Sequence, residues 1–119
     1  MRKVTVGAVQ MRCSRRPEEN IRRAEELVRK AAAQGAQIVL LPELFERPYF
    51  CQERRYEYYG YAQPAEENAA VRHFSAVAKE LGVVIPVSFY ELDGTRMFNS
   101  AAVLDGDGRN LGIYRKTHI

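Results

Sequence analysis

Two residues of opposite charge stand where a chain of strands and helices would expose functional groups. Glu43 follows the apolar run Ile38-Val39-Leu40-Leu41 and Pro42, at the carboxyl end of an expected parallel strand. Crevices at that edge are where open α/β sheets bind ligands. A carboxylate leaving an apolar strand is partly desolvated, so its pKa is expected to rise and to suit it to general-base work near neutrality. Lys116 lies in Tyr114-Arg115-Lys116-Thr117-His118, where strand alternation sends Tyr114 and Lys116 to one face and Arg115 to the other. A lysine held at a strand end beside a carboxylate can stabilise a developing oxyanion. Both residues also have plainer readings. Glu43 fits a salt-bridged or helix-capping glutamate, and Lys116 an edge lysine that blunts strand-to-strand association. Cys13 and Cys51 are nucleophiles by type. Neither sits in a strand-to-helix elbow, so a packed or idle thiol is the expectation for both.

The surrounding elements are legible from their periods. Val4 to Gln10 reads as a short buried strand, and Pro17 suits a first helical turn because its missing N–H costs nothing there. Ile21, Ala24, Leu27, Val28 and Ala31 make one apolar stripe, and Gly35 falls just past the helix end. With the strand at Ile38 to Leu41 this is a βαβ unit, which favours parallel pairing. A second helix follows from Val71, Phe74, Val77, Ala78 and Leu81, stopped by Gly82. Val83 to Phe89 is a further buried strand, with Pro86 implying a local irregularity. Asp93-Gly94 and the Asp105–Gly108 stretch mark turns of an antiparallel meander. Asp105 and Asp107 lack the twelve-residue calcium-ligand pattern and read as a plain turn. Between the two units, residues 44–63 hold seven of the twelve Phe and Tyr residues. Such a loop must bury itself as a ligand pocket, a subunit interface or a local mini-core.

Composition bounds the rest. The 119 residues are 46% hydrophobic and 28% charged with a net charge of +3, which excludes a disordered or fibrous chain. No apolar run approaches the ~20 residues of a membrane span, and Met1 to Val6 has no signal-like apolar block, so a cytoplasmic protein is expected. Two cysteines are too few for a disulfide framework and lack zinc spacing, and no metal site is expected. Residues 1–60 carry 12 Lys and Arg against 8 Asp and Glu. Their interleaving between Arg15 and Lys30 favours a solvated helix face over a nucleic-acid stripe. The fold class expected is α/β, a mixed sheet with helices on one face.

Two blocks add what periodicity cannot. Ile38-Val39-Leu40-Leu41-Pro42-Glu43-Leu44-Phe45 and Gly112-Ile113-Tyr114-Arg115-Lys116-Thr117-His118-Ile119 resemble the first two signature blocks of the nitrilase, or carbon–nitrogen hydrolase, superfamily. Gln10-Met11 after the opening strand and Gly35-Ala36 before the second fit the same pattern. More narrowly, Glu43 to Gln52 resembles the N-carbamoylputrescine amidase branch.

The resemblance implies a four-layer α-β-β-α sandwich, of which residues 1–119 form the N-terminal half, ending before the nucleophile block. It implies a Glu-Lys-Cys triad with Glu43 as general base, Lys116 as stabiliser of the tetrahedral intermediate, and the cysteine outside this chain. His118 matches a histidine placed near the substrate in carbamoyl-cleaving relatives. The implied reaction converts N-carbamoylputrescine and water to putrescine, carbon dioxide and ammonia, with no cofactor, in a homo-oligomer serving polyamine synthesis. Tyr49, with Glu46, Glu53 and Glu57 nearby, is the expected receiver of the substrate's ammonium end. Other amidases of the family, or a non-catalytic half acting as a binding module, are the alternatives.

Overall fold

Pro17 opens the first helix and Gly35, at φ 98°, closes it, as the sequence leads one to expect. The computed structural model describes residues 1–119. Its elements are β1 (Val6–Ala8), α1 (Pro17–Ala33), β2 (Ile38–Leu40), a 3-10 turn (Tyr56–Tyr61), α2 (Ala69–Leu81), β3 (Ile85–Asp93), β4 (Arg96–Leu104) and β5 (Asn110–Arg115). β1 and β2 pair in parallel, and β3, β4 and β5 form an antiparallel meander. The Val39 N–H donates to the Val84 carbonyl and the Val84 N–H to the Gln37 carbonyl, both at 2.9 Å, which joins the two into one mixed sheet. The next bond of that parallel series falls to Pro86, which has no N–H, and the pairing stops there. The irregularity expected at Pro86 therefore lies on its β2 side. Its register with β4 is unbroken.

Both helices lay their apolar stripes on one face of this sheet. Val28, Phe74, Val39, Ile85, Val87 and Leu104 are all essentially inaccessible there, and Phe45 meets Phe74 edge-on with ring centroids 5.8 Å apart. The opposite face is open. Residues 1–119 supply no cover for that face, where Val6 is 69% and Leu40 53% exposed. β1 packs through Gly7, where an added Cβ would lie 3.2 Å from that of Ala31, while its other side carries no layer from these residues.

The basic first helix is partly neutralised by its own acids. Arg23 pairs with Glu19, and Arg29 bridges Glu25 of its own helix and Glu80 of α2. At Asp105–Gly108 the Gly108 N–H donates to the Asp105 carbonyl, a plain turn, and no cluster of metal-ligating side chains occurs in the chain.

Three asparagine and glutamate side chains pin the loop that follows β2. Asn68 caps α2, its Oδ1 accepting from the Val71 N–H at 2.9 Å, while its Nδ2 donates to Glu46 Oε1 at 2.8 Å. Asn20 of α1 donates to the Glu46 carbonyl at 2.9 Å. Burial pushes the Glu46 carboxyl above the usual carboxylate range. Loss of the cap together with an orphaned buried donor-acceptor pair should make Asn68→Ala about 1–2 kcal/mol less stable. Denaturant unfolding of the full-length protein carrying these residues measures it, and a midpoint shift near zero would contradict this account.

Candidate active site

Glu43 leaves the end of β2 through a tight turn. Leu44, 3% exposed, adopts φ 51°, and its N–H donates to the Ser88 hydroxyl of β3 at 2.8 Å. A buried, non-glycine residue in the left-handed region costs energy that its surroundings must offset, and such residues cluster at functional sites. Here the turn aims the Glu43 carboxylate over the open sheet face. Asn99 of β4 and Lys116, just past β5, rise from the same face to meet it. Glu43 Oε1 accepts from Asn99 Nδ2 at 2.7 Å and from Lys116 Nζ at 2.8 Å, the latter across 73 residues of sequence. Oε2 makes no hydrogen bond within the chain. The Lys116 N–H donates to the Asn99 carbonyl at 2.8 Å, so Asn99 holds the Lys116 backbone through its carbonyl and the Glu43 carboxylate through its amide.

The electrostatics differ from the expectation in one respect. The Lys116 ammonium, ahead of the opposing effect of burial, holds the Glu43 carboxyl below the usual carboxylate range. In turn Glu43 raises Lys116. Desolvation acts in the expected direction, and the cation from a distant strand end outweighs it. Both side chains are about 40% exposed, so the pair adds little to stability.

Beside the pair lies a cleft of about 430 Å³. Cys51, Tyr58, Tyr90, Phe98, Asn99 and Lys116 are among the residues that line it. The aromatic loop supplies one wall and is also a mini-core of its own. Phe50 packs on Tyr58, Tyr61 and Tyr90 at centroid distances of 5.2, 6.0 and 5.1 Å, and the Arg47 guanidinium stacks 3.7 Å over Tyr61.

Of the acids expected near Tyr49, only Glu53 lines this cleft. Glu46 is turned to Asn68, and Glu57 pairs with Arg55 at the exposed rim. Glu53 accepts from the Tyr58 hydroxyl at 2.9 Å and lies 2.9 Å from Arg55 Nε. Tyr49 is 39% exposed and lines an adjoining cavity together with Glu53 and Glu57, as expected of those two acids. Its phenol is held above the ordinary value by burial first, then by the Cys51 thiol, and it feels the charges of Glu43 and Lys116. His118 is exposed and lies outside the cleft lining. Cys13 is half-buried against the core, and burial pushes its thiol up.

Asn99, Ser88 and Leu44 escaped the sequence reading. The signal for Asn99 was available. It shares a face with Met97, Ala101 and Val103, where it is the one polar residue, and a polar residue in such a place is the informative one.

A mixed α/β sheet with helices on one face and a carboxylate–ammonium couple on the other defines the class of this chain, a layered unit built to present a charged site on its sheet. The profile of the carbon–nitrogen hydrolase family matches residues 5–119, and the chain belongs to that family. It is 48% identical over 118 residues to an N-carbamoylputrescine amidase of Arabidopsis thaliana, which covers 99% of this chain and 40% of that protein. It is 36% identical over 119 residues to a citrullinase of Francisella tularensis subsp. tularensis, covering 100% of this chain and 42% of that protein. Among solved structures, a carbon–nitrogen hydrolase from Helicobacter pylori G27 superposes with a TM-score of 0.88 at 28% identity, over 98% of this chain and 40% of that one. The chain thus spans about two fifths of the length of these relatives. No helix is long and apolar enough to cross a membrane.

Proposed function

We propose that residues 1–119 are the N-terminal part of a thiol hydrolase that cleaves a ureido C–N bond, with N-carbamoylputrescine as substrate. The observation that carries the reading is the contact of Glu43 with Lys116 on the open sheet face, with one carboxylate oxygen unoccupied. In this reading the nucleophilic cysteine comes from the remainder of the polypeptide. Glu43 takes the thiol proton, and the thiolate attacks the carbonyl carbon. The oxyanion that forms faces the Lys116 ammonium, and the departing amine receives the proton from Glu43. Water then attacks the carbamoyl thioester as Glu43 takes its proton and returns it to the sulfur. The carbamic acid released breaks down to carbon dioxide and ammonia. No metal or organic cofactor is needed for any of these steps. The reading carries with it a cytosolic, homo-oligomeric enzyme of polyamine synthesis.

Tyr49, and His118 at the end of the Lys116 block, are the proposed substrate contacts. A second reading, a ureido amino acid as substrate, is favoured by the likeness to a citrullinase and by Arg54 on the cleft wall, a cation suited to a carboxylate. Ammonia release by the full-length protein, measured with N-carbamoylputrescine and with citrulline, tests both. A higher kcat/KM for the carbamoylated diamine is expected. Preference for citrulline would replace the first reading with the second, and turnover of neither would remove both. If Tyr49→Phe and Tyr49→Ala both leave kcat/KM intact, Tyr49 is not a substrate contact. The 119-residue chain alone should show no turnover; turnover that is lost on mutating Cys13 or Cys51 would move the nucleophile into this chain.

A further inference from the structure

On the helix-facing side of the sheet, directly behind the Glu43–Lys116 couple, sits a second charged network. Glu91 of β3 is 5% exposed. Arg115 Nε donates to its Oε1 at 2.8 Å and Nη2 to its Oε2 at 2.9 Å. Arg115 Nη2 also donates to Asp93 at 2.8 Å, and the guanidinium lies 4.0 Å over the Phe98 ring. The Ser100 hydroxyl donates to Glu91 Oε1 at 2.7 Å. The two networks draw on neighbouring residues, Asn99 and Ser100 of β4, and Arg115 at the end of β5 with Lys116 just past it. Asn99 and Lys116 turn to Glu43 on one face, while Ser100 and Arg115 turn to Glu91 on the other.

β5 meets β4 across a register shift between Ala102 and Leu104. A one-residue slip of a strand moves every side chain to the opposite face, so the pairing beyond that shift has to be pinned. Such a slip would carry Lys116 away from Glu43 and put Arg115 in its place. A two-pronged guanidinium–carboxylate fork accepts one geometry only. We propose that Glu91 and Arg115 are positioning residues that lock the register of β5 and so hold Lys116 on Glu43. This rests on the reading of Lys116 as the oxyanion-stabilising group.

The test uses the full-length protein assayed with N-carbamoylputrescine. Arg115→Ala and Glu91→Gln should each lower kcat about 10- to 100-fold with KM changed little, since an ångström of misplacement has effects of that order. Arg115→Lys, which keeps the charge but not the fork, should fall between them and the parent. The acid limb of the kcat/KM profile should move to higher pH in all three, because Lys116 no longer holds the Glu43 carboxylate. The other groups acting on that site, Asn99 from β4 and Tyr49 and Cys51 from the loop, are unchanged. The double variant Glu91→Met/Arg115→Met guards against a misfolding artefact, since removing both partners leaves no uncompensated charge at the buried Glu91 position. It should be folded and slow.

Native kcat and an unmoved acid limb in the folded double variant would overturn the register lock. Lys116→Met, run beside it, separates the two claims. If that variant is inactive while the double variant is native, the lock alone fails, whereas full activity in Lys116→Met removes the catalytic reading itself.

Discussion

Glu43→Gln in the full-length protein is expected to leave the fold intact and to lower kcat by about 10²- to 10⁴-fold, the range a positioned general base contributes. The substitution is close to isosteric. The side-chain oxygen can still accept from Asn99 Nδ2 and Lys116 Nζ, so the turn at Leu44 and the sheet beneath it keep their contacts. What disappears is the proposed proton acceptor. Thermal unfolding should therefore move little while single-turnover rates collapse. Near-normal turnover would show that Glu43 is not the base, whatever its geometry.

Lys116→Met removes the cation that faces the proposed oxyanion, and loss of one such donor is worth about 10²–10³ in kcat. Its second consequence is electrostatic. In the parent, Lys116 is the largest influence lowering the Glu43 carboxyl, ahead of the Asn99 hydrogen bond, and burial opposes both. Without the ammonium the carboxyl must rise, so residual activity should fail at a higher pH on the acid side. The sign for stability runs the same way. A carboxyl lowered by folding contributes stability above its unfolded pKa of about 4.3, and loses it as pH falls through the lower folded value. Lys116 is raised by folding, so its share is present below about 10.4 and is lost as pH rises through the folded value. The couple thus supports the fold across the neutral range, weakly, because both groups are substantially exposed. Activity, rather than melting temperature, is where removing Lys116 should register. An acid limb that stays in place would mean that Lys116 does not control the protonation of Glu43.

The cleft assigns different weights to residues that look alike in the sequence. Glu46, Glu53 and Glu57 are near neighbours in one aromatic loop, but one accepts inward from Asn68, one lines the cleft and one pairs with Arg55 at the exposed rim. The loop's rings likewise divide between a packed cluster around Phe50 and outward tyrosines such as Tyr56, which is 90% exposed. A segment without regular hydrogen-bonding period carries no rule for which way each side chain turns. Tertiary contacts with β3, the Gln63–Tyr90 bond among them, make that choice.

By itself the sequence determined the elements and their type. Helical stripes at Ile21 to Ala31 and Val71 to Leu81, glycine stops at Gly35 and Gly82, the Asp93-Gly94 turn and the opposite facing of Arg115 and Lys116 all follow from backbone geometry between near neighbours. The two blocks around Glu43 and Lys116 likewise pointed to the family that the chain belongs to. Only the tertiary structure decided that one carboxylate oxygen is shared by Asn99 and Lys116 and that the Glu43 carboxyl is lowered and not raised. The reason is range. Period and turn chemistry act over a few residues, whereas a pKa depends on whichever charges folding brings within a few ångströms, here from 73 residues away.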